Sequence, residues 1–312
     1  MPPLDQLLSP LFGAILLGVL AGQLKLFSQE DARRFSRFVF QIAMPVAILD
    51  FTQGADPPGP AYFGVIGGYL IGLGVTTTAA IIVARQFGGL TTRQSGAAVF
   101  AAICGNAVFL GLPIALQVPA WGKGFLVLMF FEGFLAYLIG TALITWPEGD
   151  GASASTTQNL MKALGTSARN PIIIAMVTGF MISVSGIELP ALLTEPLDLF
   201  GAIAAPFGLF ILGLYLALLI PTWREVPPTL LVTLLPLKLV IFPIVSAGCT
   251  YLFTADLDLT LTAAFFTLLP PAVGSMVLAA HYQQLEQATA ALVAIGSVIG
   301  LISTLIFLVM VP

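Results

Sequence analysis

Long apolar runs alternate with short polar turns along almost the whole chain. The runs are close to the roughly 20 residues that a helix needs to cross a bilayer, and the turns between them are rich in Pro, Gly and Asp. This period of apolar and polar segments predicts membrane-spanning helices rather than strands. Ten spans are predicted, at 9–26, 35–53, 61–85, 95–117, 123–146, 170–186, 198–220, 228–253, 259–281 and 286–311.

The composition strengthens this interpretation. Hydrophobic residues make up 58% of the 312 residues and charged residues only 8%, whereas a soluble domain carries about 25% charged residues. A water-soluble fold of this size could not bury so much apolar surface. The sequence therefore predicts an all-α, polytopic integral membrane protein surrounded by the lipid bilayer, and it argues against a soluble enzyme or a disordered chain.

The basic residues predict the orientation of the spans, because Lys and Arg favour cytoplasmic turns. Turns on the opposite side hold only Lys123, and Lys238 lies inside the eighth span. We expect both termini outside, a cytoplasmic central link, and a bacterial plasma membrane, which the short turns favour. The net charge of −4 and the scattered basic residues indicate no nucleic-acid partner. The basic residues on the cytoplasmic side are Lys25, Arg33, Arg34, Arg37, Arg85, Arg93, Lys162, Arg169 and Arg224.

The longest polar link, 147–169, divides the chain into a first repeat at 1–146 and a second at 170–312. Each repeat holds five predicted spans, and an odd number gives the two repeats opposite orientations in the membrane. The fourth and ninth spans are both interrupted by Gly and Pro near their middles. Matched breaks in corresponding spans indicate an inverted-repeat transporter with a binding site near the middle of the membrane.

The residues at these two breaks form the candidate substrate site. In lipid, unwound backbone persists only where protein or a watery cavity covers it, and the N-termini of half-helices favour an anion. Asn106 is expected to donate to a carboxylate. Ser275 either donates a hydrogen bond or only packs, and the remaining residues shape the backbone. The candidate substrate-binding residues are Gly105, Asn106, Pro113, Pro270, Pro271, Gly274 and Ser275.

Two ionisable residues, Glu132 in the fifth span and Lys238 in the eighth, are predicted to lie deep in the membrane. An unpaired charge there costs at least about 2.5–3.5 kcal/mol. Either the two pair with each other, or Glu132 carries a coupled proton while Lys238 binds the anion. No cluster of acidic ligands occurs in the spans, so coupling to H⁺ or simple electrochemical drive is favoured over Na⁺. Neither the two cysteines nor the one histidine suggests a metal site, and no cofactor is expected.

Several motifs of this chain resemble those of the auxin efflux carrier family, which includes plant auxin exporters and bacterial organic-anion permeases. They follow one another in the family's order over much of the chain. The motifs are Asn106 with Gly111-Leu112-Pro113, Arg169-Asn170-Pro171, Gly179 with Leu189-Pro190, Phe210-x-Leu212-Gly213-Leu214, and Leu269-Pro270 with Ala280-x-Tyr282.

This resemblance implies ten helices in two inverted repeats, with broken helices 4 and 9 that cross. It implies elevator-like transport of small carboxylates, with Asn106 at the substrate carboxylate, and a homodimer. The wider relatives include the bile-acid:sodium symporters. The chain lacks the long hydrophilic central loop of the plant exporters and carries Pro271 where those tend to have a polar residue. Both departures favour the short permeases for malate, malonate or similar acids over auxin carriers.

The functional prediction is therefore a secondary active transporter of a small organic anion that works by alternating access. The alternative is a channel or membrane sensor that binds a ligand in the same cavity without a transport cycle. An intramembrane enzyme is disfavoured, because the chain contains no Gly-x-Ser-x-Gly motif and the single histidine has no evident partner.

Overall fold

The computed structural model describes residues 4–53, 59–60, 62–146, 157–158, 161, 165, 168–169, 171–187, 189–219 and 228–311. Within these ranges every regular element is a helix, apart from one isolated β-bridge. This confirms the predicted all-α class. The predicted central link lies largely outside the described residues, as does the turn between the second and third predicted spans.

The described helices follow the predicted apolar runs. The described residues also hold three π-helical turns that the sequence does not predict, at Val39–Ala43, Ala107–Gly111 and Leu237–Ile241. The first joins α2 to α3 and the third joins α10 to α11. The helices are α1 (Leu4–Gln23), α2 (Gln29–Phe38), α3 (Met44–Gln53), α4 (Tyr62–Gln86), α5 (Thr92–Ile103), α6 (Leu112–Ala115), α7 (Gly122–Ile144), α8 (Pro171–Ser185), α9 (Ala191–Leu219), α10 (Pro228–Pro236), α11 (Phe242–Thr254), α12 (Leu257–Leu268), α13 (Val273–His281) and α14 (Glu286–Met310).

Five helical stretches among the described residues are long and apolar enough to cross a membrane. They are Tyr62–Gln86, Gly122–Ile144, Ala191–Leu218, Pro228–Thr254 and Glu286–Met310. The other five predicted spans also hold helices, in shorter or interrupted pieces. The chain is thus an integral membrane protein by length and composition of its helices, while the count of ten spans stays a prediction.

Side chains fix where the two interrupted spans begin. At the start of α5, the Thr91 hydroxyl accepts from the Gln94 N–H and the Gln94 side chain accepts from the Thr91 N–H. At the start of α12, Asp256 Oδ1 accepts from the Leu259 N–H at 3.0 Å. Each cap satisfies backbone donors that have no partner within the helix, so both spans reach their breaks from a defined starting point.

The helices cluster into two compact units, and each unit draws on both sequence halves. The predicted division into two repeats concerns sequence order and stays a prediction. The first unit holds Met1–Pro60, Val108–Leu126 and Ala168–Leu218, and the second holds Ala61–Ala107, Val127–Ser167 and Leu219–Pro312.

The first unit is held by close helix packing. A Cβ on Gly18 of α1 would overlap the backbone of Phe210 in α9, and one on Gly179 of α8 would overlap the Thr52 hydroxyl of α3. Small residues at such points let helix backbones approach, which is the main source of helix association in lipid. The Ser36 hydroxyl also hydrogen bonds with the Tyr215 hydroxyl at 3.3 Å.

The second unit is built around a close antiparallel contact between α4 and α11. Glycines four residues apart on α4 face hydroxyl-bearing residues four residues apart on α11, and an added Cβ at each glycine would overlap the residue opposite. We call this contact the glycine–hydroxyl seam. It pairs Gly64 with Thr254, Gly68 with Thr250 and Gly72 with Ser246.

Candidate functional site

The two interrupted spans meet at their breaks in the second unit. After α5 ends, Gly105 lies opposite Pro271 in a single antiparallel β-bridge. The Asn106 N–H donates to the Pro270 carbonyl at 2.7 Å, and the Ala272 N–H donates to the Cys104 carbonyl at 3.0 Å. The sequence predicted both breaks, and the structure brings them together.

The proline pair removes two backbone donors from this unwound stretch, since proline has no N–H. The three N–H groups around the bridge, of Gly105, Asn106 and Ala272, all have acceptors. Buried backbone donors left unpaired in an apolar environment cost several kcal/mol each. The bridge therefore holds non-helical backbone inside the unit without leaving these donors unpaired. The prolines are seated on α14, where a Cβ on Gly296 would lie 2.7 Å from Pro271 and one on Gly300 would lie 2.6 Å from Pro270.

Glu132 of α7 completes the crossing as a third participant. Its Oε1 accepts from the Gly105 N–H at 2.8 Å, and the residue is only 4% exposed. A hydrogen bond to a carboxylate is roughly twice as strong as one between neutral groups. Glu132 thus anchors the first break, a role that its position in the sequence did not reveal.

Lys238 lies on the other side of Gly105. It belongs to the π-helical turn Leu237–Ile241, is fully buried, and has no hydrogen-bond partner for its Nζ among the described residues. The Nζ lies 4.9 Å from the centre of the Phe242 ring, within range of a cation–π contact. A Cβ built on Gly105 would be 3.2 Å from Lys238 Nζ and 3.4 Å from Glu132 Oε1. The two opposite charges therefore flank Gly105, and no hydrogen bond from Lys238 to Glu132 joins them.

Two neutral donors lie beside the bridge. Asn106 is 2% exposed and Ser275 is fully buried. Neither Asn106 Nδ2 nor Ser275 Oγ has a hydrogen-bond partner within the ranges that the structure covers. Ser275 lies in the first turn of α13, where its N–H donates to the Ala272 carbonyl at 3.0 Å. Together with Lys238, these side chains make the surroundings of the bridge rich in unused donors.

The remaining sequence candidates have backbone or packing positions. Gly274 lies in the first turn of α13, and a Cβ there would lie 3.0 Å from the Tyr137 hydroxyl of α7. Pro113 lies in the short helix α6, beyond the π-helical turn that follows Asn106, and it belongs to the first unit. The bridge residues, Asn106, Ser275, Glu132 and Lys238 all belong to the second unit.

Three aromatic residues near the charges were not predicted. Tyr137 approaches Gly274, Phe242 lies under Lys238, and Tyr69 of α4 packs on Phe242 with ring centres 5.7 Å apart. The i,i+4 spacing of Lys238 and Phe242 was a signal that could have identified their contact. Tyr69 and Tyr137 carry no comparable sequence signal.

Comparison with known proteins is consistent with this arrangement. A family model described as a membrane transport protein matches residues 6–308. The chain is 25% identical over 227 residues to the protein named Uncharacterized transporter YfdV from Escherichia coli strain K12, which covers 67% of this chain and 68% of the relative. Proteins of the same name from Escherichia coli O157:H7 and Shigella flexneri match with the same identity and coverage.

Proposed function

Because the chain belongs to the membrane transport protein family, in line with its resemblance to the auxin efflux carriers, we propose that it is a secondary active transporter of a small organic anion. The observation that carries this proposal is the paired break of two spans with unpartnered, buried donors beside it. Asn106, Lys238 and Ser275 each present such a donor.

The character of these donors supports an anion rather than a cation as substrate. Buried polar groups normally find a hydrogen-bond partner, and an unsatisfied one costs about 1–3 kcal/mol. A carboxylate, which only accepts hydrogen bonds, would satisfy an ammonium, an amide N–H and a hydroxyl at once. Within the part of the chain that the structure describes, the one buried carboxylate beside the bridge is that of Glu132, which already accepts from the Gly105 N–H.

Matching helix contacts in the two sequence halves support an inverted repeat. In the first unit, α1 packs on α9, and α8 packs in a corresponding way on α3. If the two halves are repeats, the first contact joins span 1 to span 7 and the second joins span 6 to span 2. The two contacts are then equivalent, because span 6 corresponds to span 1 and span 7 to span 2. In the second unit, Gly96 of α5 meets Ile144 of α7, while Gly300 of α14 meets Pro270 at the break of the corresponding ninth span.

The division into two compact units supports an elevator-type cycle. The bridge and the three donor side chains all lie in the second unit. This unit would carry the bound anion across the membrane while the first unit stays in place. In secondary transporters, alternating access is largely a rigid-body movement of one part of the protein against another.

Uptake into proteoliposomes tests the proposal. Purified protein would be assayed with radiolabelled malate, malonate and indole-acetate, with and without an imposed pH gradient. Saturable uptake of at least one acid is expected. Asn106→Ala should weaken its apparent affinity roughly tenfold to hundredfold, because a hydrogen bond to a charged group contributes about 1.5–3 kcal/mol.

Thr78→Ala is the matched control, since Thr78 lies on the exposed face of α4 and its hydroxyl donates only to the Gly74 carbonyl of its own helix. Equal substrate affinities of the Asn106→Ala and Thr78→Ala variants would show that Asn106 does not bind the substrate. Currents far above carrier turnover would favour a channel. Binding of an acid without uptake by folded protein would favour a sensor.

A further inference from the structure

The interior of the second unit holds a balanced pair of opposite charges. Glu132 is 4% exposed and Lys238 is fully buried. Both approach the same point, the Cβ position of Gly105, from which Glu132 Oε1 lies 3.4 Å and Lys238 Nζ 3.2 Å away. With the carboxylate and the ammonium both ionised, this site is neutral when it is empty.

The other titratable groups that face this pair do not change the balance. They are Tyr69 from α4, Tyr137 from α7 and Cys104 at the end of α5, all of which interact electrostatically with Glu132. Phenols and thiols are largely uncharged near neutral pH. Among the residues that the structure describes, the charge of the empty site is therefore set by Glu132 and Lys238.

A bound monoanion upsets this balance. Its carboxylate would pair with the Lys238 ammonium and leave the Glu132 carboxylate as an uncompensated negative charge. Such a charge is costly in the low-dielectric interior of a membrane protein. A proton on Glu132 restores neutrality, and the protonated group still has a carbonyl oxygen that accepts from the Gly105 N–H, so the bridge remains anchored.

From these positions, and resting on the transport function proposed above, we infer that the substrate crosses as a monoanion together with one proton carried by the Glu132 carboxyl group. Lys238 is the counter-charge of the anion. The proton binds from the aqueous phase on the side where the anion enters and leaves to water on the other side. No net charge moves in a complete cycle.

Initial uptake rates under controlled gradients test this inference. Proteoliposomes would be given radiolabelled indole-acetate or lactate, both monoanions at neutral pH, with rates in protein-free liposomes subtracted. Potassium gradients with valinomycin set the membrane potential, and buffers set the pH gradient independently. For the wild-type protein, an inward proton gradient should raise the rate several-fold, and an imposed membrane potential of either sign should leave it unchanged.

Glu132→Gln keeps an acceptor oxygen for Gly105 but cannot carry the proton. Each cycle then moves one negative charge, so an inside-positive potential should accelerate uptake and the pH gradient should have no effect. The double variant Glu132→Gln/Lys238→Met is neutral when empty and has the same expected behaviour. It keeps the test decisive if the single variant, with its unbalanced ammonium, fails to fold as judged by size-exclusion chromatography.

Three results would overturn the inference while leaving the transport function in place. One is wild-type uptake that follows the potential and ignores the pH gradient. Another is a pH-gradient response that persists in Glu132→Gln or in the double variant. The third is uptake of fully ionised malonate with no uptake of either monoanion. By contrast, no uptake of any acid by folded, inserted protein would refute the transport function and this inference with it.

Discussion

Gly105 is the residue on which the geometry of the site depends most directly. Its backbone forms the bridge with Pro271 and donates to Glu132. The space where a side chain would begin is bounded by Lys238 Nζ at 3.2 Å and Leu269 Cβ at 3.3 Å. A larger residue would therefore press on the ammonium or on the second break, and one of them would have to shift by a few tenths of an ångström.

Gly105→Ala should lower transport roughly tenfold or more, because overpacking of such a site typically costs 1–3 kcal/mol and moves its neighbours. The rate of organic-acid uptake into proteoliposomes measures the effect. Gly74→Ala is the control, since a Cβ on Gly74 meets no atom within 4 Å. Uptake by Gly105→Ala at the level of Gly74→Ala would show that the ammonium tolerates displacement.

At the scale of elements, the glycine–hydroxyl seam between α4 and α11 positions the charged residue. Lys238 lies in the π-helical turn that leads directly into α11. Gly72 of α4 faces Ser246, and Tyr69 of α4 packs on Phe242, which holds the Lys238 ammonium. The close approach of the two helices therefore fixes the height of Lys238 relative to the bridge.

Gly72→Ala should destabilise the protein by about 1–3 kcal/mol, because its Cβ would overlap Ser246 Oγ. Thermal or denaturant unfolding in detergent, followed by tryptophan fluorescence, measures the loss. Adding Ser246→Ala removes the overlapping oxygen and should recover part of the stability, while Gly74→Ala on the same helix should cost nothing. If Gly72→Ala were as stable as Gly74→Ala, the two helices would not be in tight contact at the seam.

Much of the helical framework could be predicted from sequence, because apolar runs of membrane length have few alternatives in lipid. The two breaks were predictable for a local reason as well, since Gly and Pro interrupt helices wherever they cluster. The side chain that binds the first break, that of Glu132, was not predictable from sequence. Glu132 lies on α7 and Gly105, 27 residues earlier, lies in the unwound stretch after α5, and nothing local links an acidic residue to a distant N–H.

The arrangement of the charges shows the same limit. Position along each span predicts the depth of Glu132 and Lys238 in the membrane, but whether the two pair directly depends on side-chain direction. That direction is set for Lys238 by the π-helical turn Leu237–Ile241, which shifts the register of the helix and has no clear sequence mark. Sequence proximity alone groups Pro113 with the break residues, yet it belongs to the other compact unit.

For the whole molecule, orientation in the membrane follows from the distribution of basic residues. Nine of the eleven Lys and Arg residues lie in turns predicted to be cytoplasmic. This prediction places two exposed helix ends on opposite sides of the membrane. Gln86 ends α4 at a cytoplasmic turn, and Ser185 ends α8 at an outer turn.

Single cysteines test this orientation in a background without Cys104 and Cys249. In intact cells, a membrane-impermeant maleimide should label Ser185→Cys and leave Gln86→Cys unlabelled until the membrane is opened. Both positions are exposed, so burial cannot account for a difference. Labelling of Gln86→Cys alone would show that the chain has the opposite orientation in the membrane. Labelling of both positions from outside would contradict an odd number of membrane crossings between them.

The bridge between the two breaks has a consequence for how such a protein diversifies. Its two interstrand hydrogen bonds are made by main-chain atoms of Cys104, Asn106, Pro270 and Ala272. Mutation exchanges side chains and leaves those atoms in place. Proteins descended from one ancestral carrier can therefore change their substrate by replacing the side chain of Asn106 or of its neighbours. The main-chain hydrogen bonds that join the two breaks are kept. For an engineer, retargeting should begin at position 106 and leave Gly105 untouched.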